Sequence, residues 1–138
     1  MNDADANRRL VKEAWAAIAA RDDPTAIERY FANDYVRHSF GADYTRDELR
    51  AILDSLGQAF PDLETTNVDI VAEGDRVAYR WEATGTHTGS YMGAPPTQKR
   101  IKAGGINIAR VEAGRIAEEW SSWDKVSFLH ALGIIPLR

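Results

Sequence analysis

The chain has 138 residues, of which 44% are hydrophobic and 28% charged, a formal net charge of -4 at pH 7, and no cysteine. That length suits one domain with its own core, and the missing thiols exclude disulfides, cysteine nucleophiles and cysteine metal sites. Basic residues form only a modest group at Lys99, Arg100 and Lys102, which gives a nucleic-acid backbone no concentrated partner.

No stretch approaches the roughly 20 apolar residues that span a bilayer. The segment MNDADANRRL has no hydrophobic run of the signal-peptide type. The expectation is a cytoplasmic, single-domain protein over residues 1–138, its first few residues loose.

Residues 4 to 20 predict a helix, because Leu10, Val11, Ala14, Trp15 and Ile18 form one apolar stripe. Asp23–Pro24 restarts helix, with a capping carboxylate and a proline tolerated in the first turn. Tyr30 and Phe31 anchor that second helix. ANDYVRHSFGAD has weak periodicity and predicts a turn or lid between helices. Thr45 and Glu48 then make a capping box for a third helix. Its inner face carries Leu49, Ile52, Leu53 and Leu56, and Phe60–Pro61 ends it.

From Leu63 the period shifts toward 2, and strands are expected at 64–73, 76–88, 98–111 and 115–124. Gly74–Asp75 and Ala113–Gly114 supply tight turns, and SYMGAPPT joins the middle pair. A short helix closes the chain before Gly133. The fold class is therefore α+β: N-terminal helices packed on a strongly curved antiparallel sheet that encloses a pocket.

Alternation puts Val77, Tyr79, Trp81, Ala83, Gly85 and His87 on one strand face, and Ile116, Glu118, Trp120, Ser122 and Asp124 on one face of the last strand. A bulge would change that second parity. If both faces line the concavity, His87 and Asp124 share an aromatic-walled space, and His38 reaches its mouth. One carboxylate and two imidazoles supply proton acceptors and donors there. Trp81, Trp120, Tyr35, Tyr79 and Met92 are the substrate-binding candidates, with Tyr91 beside Met92 as a loop cover. Trp123 is expected on an outer or subunit-facing surface. The bland alternatives are core packing for the tryptophans, a satisfied strand histidine for His87, and simple helix capping for Asp124. The wide separation of the two histidines and the aspartate lacks a compact ligand motif, so no metal is expected.

The run from WEATGTHTGSYMGAPPTQKR to the tryptophan-rich EEWSSWD and the following LHALGI, with YVRHSF and QAFPDLE upstream, resembles the SnoaL-like polyketide cyclases of the NTF2-like superfamily, over approximately residue 10 to the C-terminus. That resemblance implies a cone-shaped roll and an acid/base enzyme needing neither metal nor organic cofactor. It implies intramolecular aldol cyclisation of a bulky aromatic keto ester, with Asp124 as proton shuttle and His87 and His38 orienting or polarising the substrate. It also implies a hydrophobic or aromatic small molecule as partner and a homo-oligomer, dimer or tetramer. Gln98 replaces the usual glycine after PPT, and SSW precedes Asp124 in a variable segment. The competing functions are a cofactor-independent hydroxylase or hydrolase using the same pocket, and a non-catalytic small-molecule binding protein.

Overall fold

The structure is a computed structural model that describes residues 3–135. The expectation of a loose N-terminus begins at Met1 and Asn2, which lie outside the described residues. Among those described, the order is α1 (Asp3–Ala20), α2 (Ala26–Tyr30), β1 (Phe31–Ser39), β2 (Ala42–Thr45), α3 (Arg46–Ala59), β3 (Glu64–Glu73), β4 (Arg76–Thr86), β5 (Arg100–Glu112), β6 (Arg115–Trp123) and α4 (Lys125–Ala131). The strands form one sheet in the order β2-β1-β6-β5-β4-β3. Helices pack on its concave face. This is the NTF2-like architecture.

Two expectations change. The segment read as a lid is sheet: Val36 to Ser39 of β1 pairs antiparallel with β2, and β1 runs parallel to β6. The sheet is thus mixed. Tyr35, Val36, Arg37 and His38 alternate too briefly for a clear period-2 signal, and they are a strand because β2 pairs with them on one side and β6, some 80 residues downstream, on the other. The second helix is also shorter than expected. Asp23 accepts from the backbone N–H and hydroxyl of Thr25, helix begins at Ala26, and Phe31 already belongs to β1. The capping box at Thr45 and Glu48 is formed in both directions.

The β1–β2 connection is a two-residue turn, Phe40–Gly41, with φ of 52° and 76°. Both positions are left-handed, as the hairpin turn matching strand twist requires. Gly41 adopts that geometry freely, whereas a bulky side chain at Phe40 costs roughly 1–2 kcal/mol there.

Two apolar clusters flank the concavity. One joins Val11 and Ala14 of α1 to Ile27, Phe31, Tyr35, Leu49, Val77, Tyr79, Ala109, Val111 and Ile116. The other gathers Ala59, Phe60, Ile101, Phe128 and Leu132. Each large side chain buried in this way contributes about 1.5–3 kcal/mol.

Candidate active site

Members of both clusters, with α1 and α3 above, line a cavity of ≈ 1290 Å³. Its sheet wall is set by register. Tyr79 pairs with Asn107 and Asn107 with Ser121, Trp81 pairs with Gly105 and Gly105 with Trp123, and Arg37 pairs with Glu119. Directly paired residues share a face. One inner row therefore carries Tyr79, Asn107 and Ser121, and the next carries Trp81 and Trp123.

The parity of β6 differs from simple alternation because the β5–β6 register shifts between Arg110 and Val111. Arg110 faces Glu118 while Val111 faces Ile116, so Ala117 is the extra residue of a bulge. Ile116 stays buried, and after the bulge Glu119, Ser121 and Trp123 point inward while Glu118 and Trp120 point out. This corrects two expectations. Trp123 lines the cavity. Trp120 instead lies on the convex face, stacked against His38 at 5.5 Å and under the Arg76 guanidinium at 4.9 Å.

None of the three polar residues singled out from the sequence is in the cavity lining. His38 sits on the convex side, its Nδ1 2.7 Å from Asp43 and its Nε2 2.6 Å from Glu118. With a carboxylate on each nitrogen, the arrangement favours the imidazolium, whose two N–H groups can donate to both. The hydrogen bonds to Glu118 and then Asp43 raise its pKa. Asp124 is exposed and accepts the Ser127 backbone N–H at 3.1 Å as the cap of α4. The Ser127 side chain and then its backbone N–H lower the Asp124 pKa, and deep burial, the usual route to a basic carboxylate, is absent.

His87 is fully buried, its ring 5.4 Å from that of Phe60. The Thr97 backbone N–H donates to Nδ1 at 3.2 Å, so Nδ1 must be an acceptor and the neutral ring carries its hydrogen on Nε2. That Nε2–H has no partner among the described residues. Among the other candidates, Trp81 and Tyr79 are in the cavity wall. Tyr35 is buried below it. Met92 is 64% exposed at a loop tip, and its neighbour Tyr91 lines the cavity instead.

The cavity floor holds a polar network that the sequence reading passed over. Glu119 is fully buried. It accepts from the Tyr35 hydroxyl at 2.9 Å and from the Tyr79 hydroxyl, and pairs with the Arg37 guanidinium at 3.4 Å. Tyr79 oxygen accepts in turn from Trp15 Nε1 and Asn107 Nδ2, each at 2.9 Å. Asn107 Oδ1 takes Ser121 Oγ and Trp81 Nε1, and Arg37 Nη2 donates to Ser121 Oγ at 3.0 Å. Burial works against the Arg37 charge, but Glu119, Tyr35 and Tyr79 together outweigh it and raise the guanidinium's pKa. Burial, and then the charge of Glu119, push Tyr79 and Tyr35 well above the usual phenol range. Both phenols stay protonated donors. Arg37, Tyr79 and Asn107 present this network to the cavity.

A signal for the floor did exist. Asn107 is the lone amide in the inward series Ile101, Ala103, Gly105, Asn107, Ala109 and Val111. Among the described residues no cluster of His, Asp and Glu suits a metal, and no helix is long and apolar enough to cross a membrane.

The profile of the SnoaL-like polyketide cyclase family matches residues 9–132. The chain belongs to the SnoaL-like family. AclR, a candidate hydroxylase from Streptomyces galilaeus, is 30% identical, with a TM-score of 0.85 over 94% of this chain and 97% of that one. IdmH, a candidate polyketide cyclase from Streptomyces antibioticus, is 31% identical, with a TM-score of 0.81 over 92% and 98%. A SnoaL-like protein from Jannaschia, at 17% identity and a TM-score of 0.87 over 99% and 97%, shares the fold. No curated protein matches the chain.

Proposed function

We propose that this SnoaL-like protein is a cofactor-independent enzyme that closes a ring in a bulky aromatic keto ester by an intramolecular aldol step, with the proton chemistry centred on the cavity floor. The observation carrying this is the buried Glu119 beneath a cavity walled by Trp81, Trp123 and Tyr91. The carboxylate sits behind Tyr79, a phenol that touches the cavity and already donates to it. A proton from the carbon alpha to a carbonyl passes to the Tyr79 oxygen as Tyr79 passes its own to Glu119. Arg37 stabilises the enolate oxygen. Carbon–carbon bond formation leaves an alkoxide, which recovers the proton by the reverse relay. Substrate approach requires Trp15 or Asn107 to yield its bond to Tyr79.

Asp124, implied by the family resemblance, is the rival base, and its cap role does not by itself forbid that use. His87 contributes its Nε2–H to a substrate oxygen that reaches past Phe60. The likeness to both a candidate cyclase and a candidate hydroxylase keeps oxygen insertion as the alternative reaction. Incubation with aromatic keto esters followed by mass spectrometry separates the two. An isomer of unchanged mass supports cyclisation, a product heavier by one oxygen supports hydroxylation, and tight binding without turnover supports a binding protein.

The homo-oligomer is proposed as a dimer through the convex face. Val71, Ala78, Ile108 and Trp120 form a row across four strands there, and Val71, Ile106 and Ile108 are exposed. Sedimentation of Ile106→Lys tests it: a shift from dimer to monomer supports this face, and an unchanged dimer rejects it.

A further inference from the structure

We propose that Phe40 and Lys125 form a subsite at the cavity mouth for an acidic aromatic ring, whose phenolate or carboxylate oxygen lies on the Lys125 ammonium. This rests on the cavity being a site for an aromatic guest, and it adds which end of that guest stays at the mouth.

Two locally unfavourable choices meet at one spot. Phe40 occupies a left-handed turn position that favours asparagine or glycine. Its ring is not buried in return: it is 54% exposed, lines the cavity and meets Trp123 edge-on at 6.0 Å. Neither turn chemistry nor core packing accounts for a phenylalanine there. Lys125 opens α4, where a cation opposes the partial positive charge of the helix start. It also lines the cavity. Its Nζ lies 5.1 Å from the centre of the Phe40 ring, and no carboxylate among the described residues comes within ion-pair distance of it.

A half-buried ammonium without a carboxylate partner among the described residues, set over an aromatic ring, suits a flat anion. The Phe40 and Trp123 rings offer apolar contact and the lysine one compact charge. Of the other cations in the lining, Arg37 on the floor is already neutralised by Glu119 and Arg50 by Glu28, while Lys12 and Arg21 are exposed to water. The acidic end of a substrate therefore rests at the mouth and its reacting end reaches Tyr79.

The test compares two fluorescent probes of nearly the same shape, anionic anilinonaphthalene sulfonate and uncharged phenylnaphthylamine, titrated into the whole chain. The native protein should prefer the anionic probe. Lys125→Gln should weaken that probe roughly fivefold, as expected for a partly exposed ion pair, and leave the neutral one unchanged. Phe40→Asn should weaken both while the melting temperature holds or rises, because Asn-Gly is a preferred turn pair. The subsite alone is overturned if both probes bind but Lys125→Gln is silent or weakens them equally, if Arg37→Gln instead abolishes the anion preference, or if Phe40→Asn binds both unchanged. Failure of both probes to bind the native chain overturns it together with the cavity reading, and binding of the neutral probe alone overturns the subsite.

Discussion

Arg37 and Glu119 lie directly opposite each other on the parallel strands β1 and β6, and their side chains meet at 3.4 Å beneath the cavity. Glu119 is fully buried and Arg37 nearly so. An ion pair so placed is costly to half-remove, because the survivor keeps a poorly solvated charge without its partner. Glu119→Gln should cost about 3 kcal/mol or more in urea unfolding, and Arg37→Gln a similar amount. The double variant should recover about 1 kcal/mol or more relative to the sum of the two singles. Strict additivity would show that the pair is not energetically coupled.

Asp124 acts first as a helix cap. Asp124→Ala should lower the melting temperature by a few degrees while Asp124→Asn, which can still accept the Ser127 N–H, largely preserves it. The sign with pH follows from its lowered pKa. The contribution is present above the unfolded-state value and fades as pH falls through the lower folded-state value. A native-minus-alanine difference that stays constant into acid would contradict this.

The His38 bridge titrates in the opposite sense. Its pKa is raised by Glu118 and Asp43, so its stabilisation is complete below the unfolded value of about 6.5 and is lost as pH rises through the folded one. Thermal melts from about pH 6 to pH 9 should show a declining component in the native chain that is absent from His38→Gln. Arg110, which donates to Glu118 at 3.1 Å, keeps that carboxylate ionised throughout. A native curve parallel to that of the variant would remove the imidazolium from the account.

Gly105 sets how closely β5 and the aromatic wall approach. A Cβ there would stand 2.5 Å from Trp123 Cβ, 2.7 Å from the Ser122 carbonyl and 2.9 Å from the Trp81 ring. Gly105→Ala should destabilise by roughly 1–3 kcal/mol, shift tryptophan emission and weaken aromatic ligands. An alanine variant of native stability and emission would mean that the wall has slack.

The helices and the β3–β4 and β5–β6 hairpins were legible because their signals are local. Thr45 and Glu48 announce α3 within four residues, and the alternation through Val77, Tyr79 and Trp81 orients β4. The site was less legible because it depends on long-range register. One bulge residue, Ala117, exchanges the faces of β6, so alternation chose Glu118 and Trp120 over Glu119 and Trp123. Arg37 escaped notice because it meets Glu119 only when β6 arrives beside YVRHS. His38, its more conspicuous neighbour, then necessarily faces the other side.

The most direct test of the Glu119–Tyr79 relay is deuterium wash-in at the alpha carbon of an aromatic keto ester, followed by NMR in heavy water against the buffer rate. Tyr79→Phe breaks the relay without altering charge, and Glu119→Gln removes the acceptor. Either should lose about 100-fold or more of the enzyme-dependent exchange, while folded Asp124→Asn stays within about twofold of native. Full exchange in a folded Tyr79→Phe, with loss confined to Asp124→Asn, would place the base outside the floor and contradict the account.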